Sequence, residues 1–168
     1  MNSSSNIRPF FVDGDSAIFG GAVGTVTLGG PISVDTITFN SGYTIAGGTL
    51  TFSTATPTIT ANGAFGTISS VVAGVNGLSL NATGGVAGTY LDGANTYSGV
   101  TNVNSGFLVV RNDAGLGSAV DGTVVTSGAT VQLESAGSLN VGGEAITISG
   151  TGVGGNRGAL ASWAGSNT

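Results

Sequence analysis

The stretch Asn104-Ser105-Gly106-Phe107-Leu108-Val109-Val110 (NSGFLVV) sets a Ser-Gly turn signal directly before an apolar run. The same arrangement returns at 126–133 as TSGATVQL, and Ser-Gly recurs at 149–150. The glycines of these pairs, Gly106, Gly128 and Gly150, stand 22 positions apart. Traced backwards, the series continues through Gly84 or Gly85, Gly63, Gly42 and Gly20 or Gly21, in steps of 21 or 22 residues. Apolar or Thr-rich segments follow most of these glycines: TVTL at 25–28, YTI at 43–45, TIS at 67–69, FLVV at 107–110 and ATVQL at 129–133.

Inside the segments apolar residues alternate with Thr or Ser. Val26 and Leu28, Ile37 and Phe39, Leu50 and Phe52, Leu78 and Leu80, Val131 and Leu133, and Ile146 and Ile148 each sit two apart. That is the period of a strand with one buried and one wet face. No window sustains helical spacing. Short strands separated by Gly-Gly, Asn-Gly, Ser-Gly and Asp-Gly, in a fixed register, describe a solenoid. The expected fold is therefore all-β, a single-stranded parallel β-helix of about 22 residues per rung over residues 20–168. Each rung holds two or three short strands. About seven rungs, each paired with the next at about 4.8 Å, give a rod roughly 35 Å long. Residues 1–19 are expected to form a lead-in or N-terminal cap, with Phe10, Phe11 and Phe19 as a plug. The competing architecture is an antiparallel sandwich, which also has short strands but needs no fixed register.

Composition excludes several function classes. Of 168 residues, 32 are Gly and only 7% are charged, against a usual charged share near 25%. There is no His, Cys or Lys, and the only cations are Arg8, Arg111 and Arg157. Three scattered Arg at a net charge of −5 cannot build a nucleic-acid-binding face. Without His or Cys there is no ordinary zinc or copper site, no disulfide, and no Ser-His-Asp or Cys-His nucleophile. No apolar run approaches the roughly 18 residues of a spanning helix, despite a mean hydropathy of +0.38. The start, MNSSSNIRPFF, lacks the apolar core of a signal peptide.

With the rungs in place, residues 91–133 become recognisable. LDGANTYSGVTNVNSGFLVVRNDAGLGS resembles the passenger-associated transport repeat of bacterial autotransporters, through Leu91, Gly93, Asn95, Thr96, Tyr97, Gly99, Thr101, Val103, Gly106, Leu108, Leu116, Gly117 and Ser118. SGATVQL at 127–133 looks like the following rung. Val100 and Phe107 depart from the usual pattern, Gly and a small residue being commoner there. The resemblance implies an extracellular or cell-surface β-helical stalk, exported through an outer-membrane barrel, with a structural or adhesive role and no catalysis. The chain then reads as a segment of a longer solenoid or a unit that stacks on itself. Head-to-tail self-association through open rung edges is expected, since strand edges left uncovered pair with other chains.

Candidate sites are few, and the expectation is that no residue is catalytic, binds a cofactor or holds a metal. Asp13 and Asp15 offer two carboxylates to Ca²⁺, but calcium takes six to eight oxygens, so a turn is the better reading. Asp92, Asp113 and Glu134 lie 21 apart and form an acidic ladder on a uniform register, with Asp121 and Glu144 the other acids of that half. The alternative function is thus a carbohydrate-binding or carbohydrate-cleaving β-helix using that ladder, since glycoside hydrolysis needs two carboxylates about 5–9 Å apart. Solvated corner acids are the simpler reading. Asn95 and Asn102 suit stacked structural ladders. Tyr90, Tyr97, Phe107 and Trp163 suit either core or end-cap packing or platforms for surface glycans.

Overall fold

The computed structural model describes residues 14–155 and 157–168. The Asp13 half of the calcium candidate, the Phe10–Phe11 plug and most of the 1–19 cap lie outside them. The chain winds through seven coils. The first holds β1 (Ala17–Phe19), β2 (Gly24–Thr27) and β3 (Ile32–Val34). The second holds β4 (Thr36–Phe39), β5 (Tyr43–Ala46) and β6 (Thr49–Phe52), and the third β7 (Thr58–Asn62), β8 (Phe65–Ile68) and β9 (Val71–Ala73). From there each coil has two strands: β10 (Leu78–Thr83) and β11 (Gly88–Leu91), β12 (Thr101–Val103) and β13 (Gly106–Val110), β14 (Thr123–Val125) and β15 (Ala129–Leu139), β16 (Ile146–Ile148) and β17 (Leu160–Asn167).

Stacking these coils gives three parallel sheets. The first sheet runs β1-β4-β7-β10-β12-β14-β16, and the second runs β2-β5-β8-β11-β13-β15-β17. The third, β3-β6-β9, exists only over the first three coils. The expected parallel β-helix is therefore the fold, and the sandwich is not. The alternation read from the sequence decides which side chains point inward. Ile37, Ile59, Leu80, Val103 and Val125 stack in register along the first sheet, and Ile45, Ile68, Leu91, Val110 and Leu133 along the second. All ten are buried. Each such side chain contributes about 1.5–3 kcal/mol by leaving water.

The glycine series marks one corner throughout, between a strand of the first sheet and the next strand of the second. Gly106 shows why glycine is needed there. Its φ is +71°, and an added Cβ would collide with Ala82 and stand 2.6 Å from the carbonyl oxygen of Ala87. Gly42 is the exception in the series, with no positive φ.

Where the third sheet stops, side chains take over its hydrogen bonding. In the fourth coil the buried Asn95 accepts the Val72 backbone N–H at 2.9 Å and donates to the Gly115 carbonyl at 2.8 Å. One amide side chain thus joins the coil below to the coil above, as a strand's own peptide groups would. The buried Tyr97 packs beside it, its hydroxyl 2.7 Å from Thr101 Oγ1. These are two of the residues on which the repeat resemblance rests. Exposed corners carry polar ladders of their own, with Asn62 Nδ2 donating to Asn40 Oδ1 and Thr83 Oγ1 donating to Asn62 Oδ1, both at 2.8 Å. Asn104 Nδ2 donates to Asn81 Oδ1 at 3.2 Å. Asn102 instead stacks between Ser79 and Val124 in the first sheet.

Candidate functional site

Most of the outer surface is Thr, Ser, Asn and Gly, but the outer face of the second sheet differs. In the third to fifth coils it presents Phe65, Tyr90 and Phe107, with Phe65 5.2 Å from Tyr90 and 6.1 Å from Phe107 between ring centroids. Gly88 lies between Phe65 and Phe107 in register, and a side chain there would strike the Phe107 backbone. Both described arginines lie over these rings. The Arg111 guanidinium stands 3.9 Å above Tyr90. That of Arg157 stands 4.1 Å from Trp163 and 5.4 Å from Phe107. Such cation–π contacts contribute roughly 0.5–2 kcal/mol according to exposure.

A polar chain runs across the same face. Arg111 Nη1 is 4.0 Å from Asp92 Oδ2, and Arg111 Nη2 donates to Glu134 Oε1 at 2.6 Å. Gln132 Nε2 donates to Glu134 Oε2 at 2.9 Å, and Arg157 Nη1 donates to Gln132 Oε1 at 3.2 Å. Two guanidinium charges thus balance two carboxylates over four coils. Burial raises the Asp92 pKa, Arg111 opposes that shift, and Glu134 adds to it. Asp92 Oδ1 is buried with no hydrogen-bond partner, which agrees with the direction. Elsewhere, burial also raises the Glu144 pKa, against the hydrogen bond that Thr123 Oγ1 donates to it at 2.6 Å.

The acidic ladder expected from uniform spacing is not what stacks. Leu91, Val110 and Leu133 are in register, so the residues that follow them, Asp92, Arg111 and Glu134, form the column. Asp113 stands apart from it and accepts the Asn140 backbone N–H at 2.8 Å. The column is acid–base–acid, with both carboxylates facing one arginine and neither poised as a general acid opposite a free base. The sequence signal that could have found this was the short two-residue corner 104–105 between β12 and β13, which pulls Arg111 into line with Asp92. Asp121 accepts the Gly99 N–H at 2.9 Å across the neighbouring corner, a structural role. Among the described residues no group of three or more His, Cys, Asp or Glu is gathered to hold a metal ion. Of the four candidate aromatics, Tyr97 and Phe107 are buried, Tyr90 is half-buried, and Trp163 is 57% exposed. Among the described residues no helix is long and apolar enough to cross a membrane, which says nothing of β-barrels.

The chain is 47% identical over 137 residues, or 81% of its length, to the Adhesin BmaC autotransporter of Brucella suis biovar 1 (strain 1330). It spans 4% of that adhesin's length. No family model matches the chain, and no solved structure matches it. The repeat resemblance in the sequence, the coil-on-coil parallel pairing and this relative agree: the chain is a β-solenoid similar to a short segment of an autotransporter adhesin.

Proposed function

We propose that this chain is a rigid length of the extracellular passenger of an autotransporter adhesin, held at the bacterial cell surface, and that it acts without catalysis. The observation that carries this reading is the 47% identity to the Brucella adhesin over most of the chain. The fold suits the role. Continuous parallel pairing along two seven-stranded sheets makes a stiff rod, and repeat architectures of this kind spread their surface into long faces open to partners. The paucity of charge suits it too, since stability then rests on burial and backbone pairing, which salt screens little. The pairing of Asp92 and Glu134 with one arginine argues against a hydrolytic site.

The test is to express the chain within a passenger fused to an outer-membrane barrel. Whole, unpermeabilised cells are then labelled with an antibody to the chain and scored for adherence to host cells. Surface labelling with adherence lost on deletion of 20–168 is the expected result. Labelling only after permeabilisation would overturn the surface reading, and unchanged adherence on deletion would overturn the adhesive one.

A further inference from the structure

The aromatic and polar features of the outer face of the second sheet converge at Trp163. This is the only Trp of the chain, and it lies 57% exposed on the outermost strand of that sheet, beside Arg157. A ring this large and this open needs a reason, and its backbone supplies one. Along the β15–β17 pair, Leu133 is partnered with Ser162 and Glu134 with Ala164, so Trp163 is the extra residue of a β-bulge. Bulges are rare between parallel strands, and where they occur they re-aim a side chain out of the regular alternation. Beside the ring stand groups already fixed by one another: Arg157 held by Gln132, Gln132 by Glu134, and Glu134 by Arg111. Fixed donors and acceptors lose little freedom when a ligand arrives.

The charges decide the class of ligand. Arg111 and Arg157 are balanced by Asp92 and Glu134, so the face offers no net attraction to a polyanion, and the chain as a whole carries −5. What remains is an open aromatic face next to a dense set of N–H donors and carboxylate and amide acceptors. That combination matches a molecule with an apolar C–H face and a rim of hydroxyls. We propose that this surface, centred on Trp163, Arg157, Gln132 and Glu134, binds a neutral sugar residue of a glycan. The sugar stacks on Trp163, and its hydroxyls bond to the Arg157, Gln132 and Glu134 groups. The run of rings through Phe107, Tyr90 and Phe65 continues the strip over a further three to four coils, about 15–20 Å at the strand spacing, enough to follow a short oligosaccharide. The inference rests on the surface location proposed above for the origin of the glycan, but not for the chemistry of binding.

The experiment applies the purified chain to an array carrying neutral glycans ending in glucose, galactose or N-acetylglucosamine beside sialylated and sulfated ones. Each neutral hit is then titrated while Trp163 emission is followed. The expected result is binding of at least one neutral glycan with a saturable change in emission. Trp163→Ala is expected to weaken that binding at least tenfold with the melting temperature unchanged, and Trp163→Phe to retain part of it. Binding to none of the neutral glycans, binding to charged glycans only, or full binding by Trp163→Ala would each overturn the proposal. Whole-cell labelling of Trp163→Ala distinguishes the two ideas, because loss of glycan binding leaves surface display intact.

Discussion

Asn95 does the work of a strand at a place where the third sheet has ended. Its amide spans two coils with one accepted and one donated hydrogen bond, both out of water. Asn95→Ala leaves the Val72 N–H and the Gly115 carbonyl unpaired, at about 1–3 kcal/mol for each buried group. Chemical denaturation should therefore show a loss of about 2–4 kcal/mol, with Asn95→Asp keeping part of it by still accepting from Val72. The sequence placed Asn95 among structural asparagines, but its two partners are invisible there because both lie about 20 residues away. A second residue-scale prediction concerns Asp92 and Glu144, both raised by burial. A folded carboxyl with a raised pKa holds its proton to higher pH than the unfolded chain does. Its stabilising contribution is therefore full below the ordinary carboxylate range and is lost as pH rises through the folded value. Melting temperatures of wild type and of the Asp92→Asn, Glu144→Gln double variant, taken from pH 7 down to pH 4, should diverge in slope. The wild type gains stability relative to the variant's trend, and parallel curves would contradict this.

Strand pairing in this chain tolerates almost no extra volume at its tightest inner positions. Gly66 in β8 sits directly against the Phe39 ring of the coil below, and an added methyl would collide with it. Gly66→Ala should cost about 1–3 kcal/mol by overpacking, and the double variant with Phe39→Leu should recover part of that loss. A non-additive pair of denaturation midpoints would demonstrate the contact. The corner glycines and the inward columns were legible in the sequence, because side-chain alternation and turn chemistry are local. The position of each coil relative to the next was less so. Leu80 to Leu91 is a step of 11 residues and Val103 to Val110 a step of 7, so the fifth coil turns its corner four residues sooner. The third side, at 111–122, absorbs three of them before the first sheet resumes. An exposed corner can be shortened or lengthened without disturbing the buried columns, so the mean period survives while the local register slips. That slip is why even spacing set Asp113 beside Asp92, whereas the fold sets Arg111 there.

Across the whole molecule, the two long sheets make a rod whose inside is aliphatic and whose outside is mostly Thr, Ser and Asn. Only the outer face of the second sheet gathers rings and paired charges, and no periodicity in the sequence marks it. Its members, from Tyr90 to Trp163, come from four coils, and the bulge that exposes Trp163 has no sequence signature. The central claim is that consecutive coils pair in parallel in this register, and engineered disulfides test it most directly, since the chain has no cysteine of its own. Thr38 and Thr60 are register partners in the first sheet, and Thr44 and Thr67 in the second, all four pointing outward. Paired strands stand about 4.8 Å apart, within the Cα separation a disulfide spans. Thr38→Cys with Thr60→Cys, and Thr44→Cys with Thr67→Cys, should each cross-link on mild oxidation of the folded chain. Thr38→Cys with Thr58→Cys, displaced two residues along the strand, should remain reduced. Cross-linking of the displaced pair in preference to the aligned ones would contradict the parallel coil.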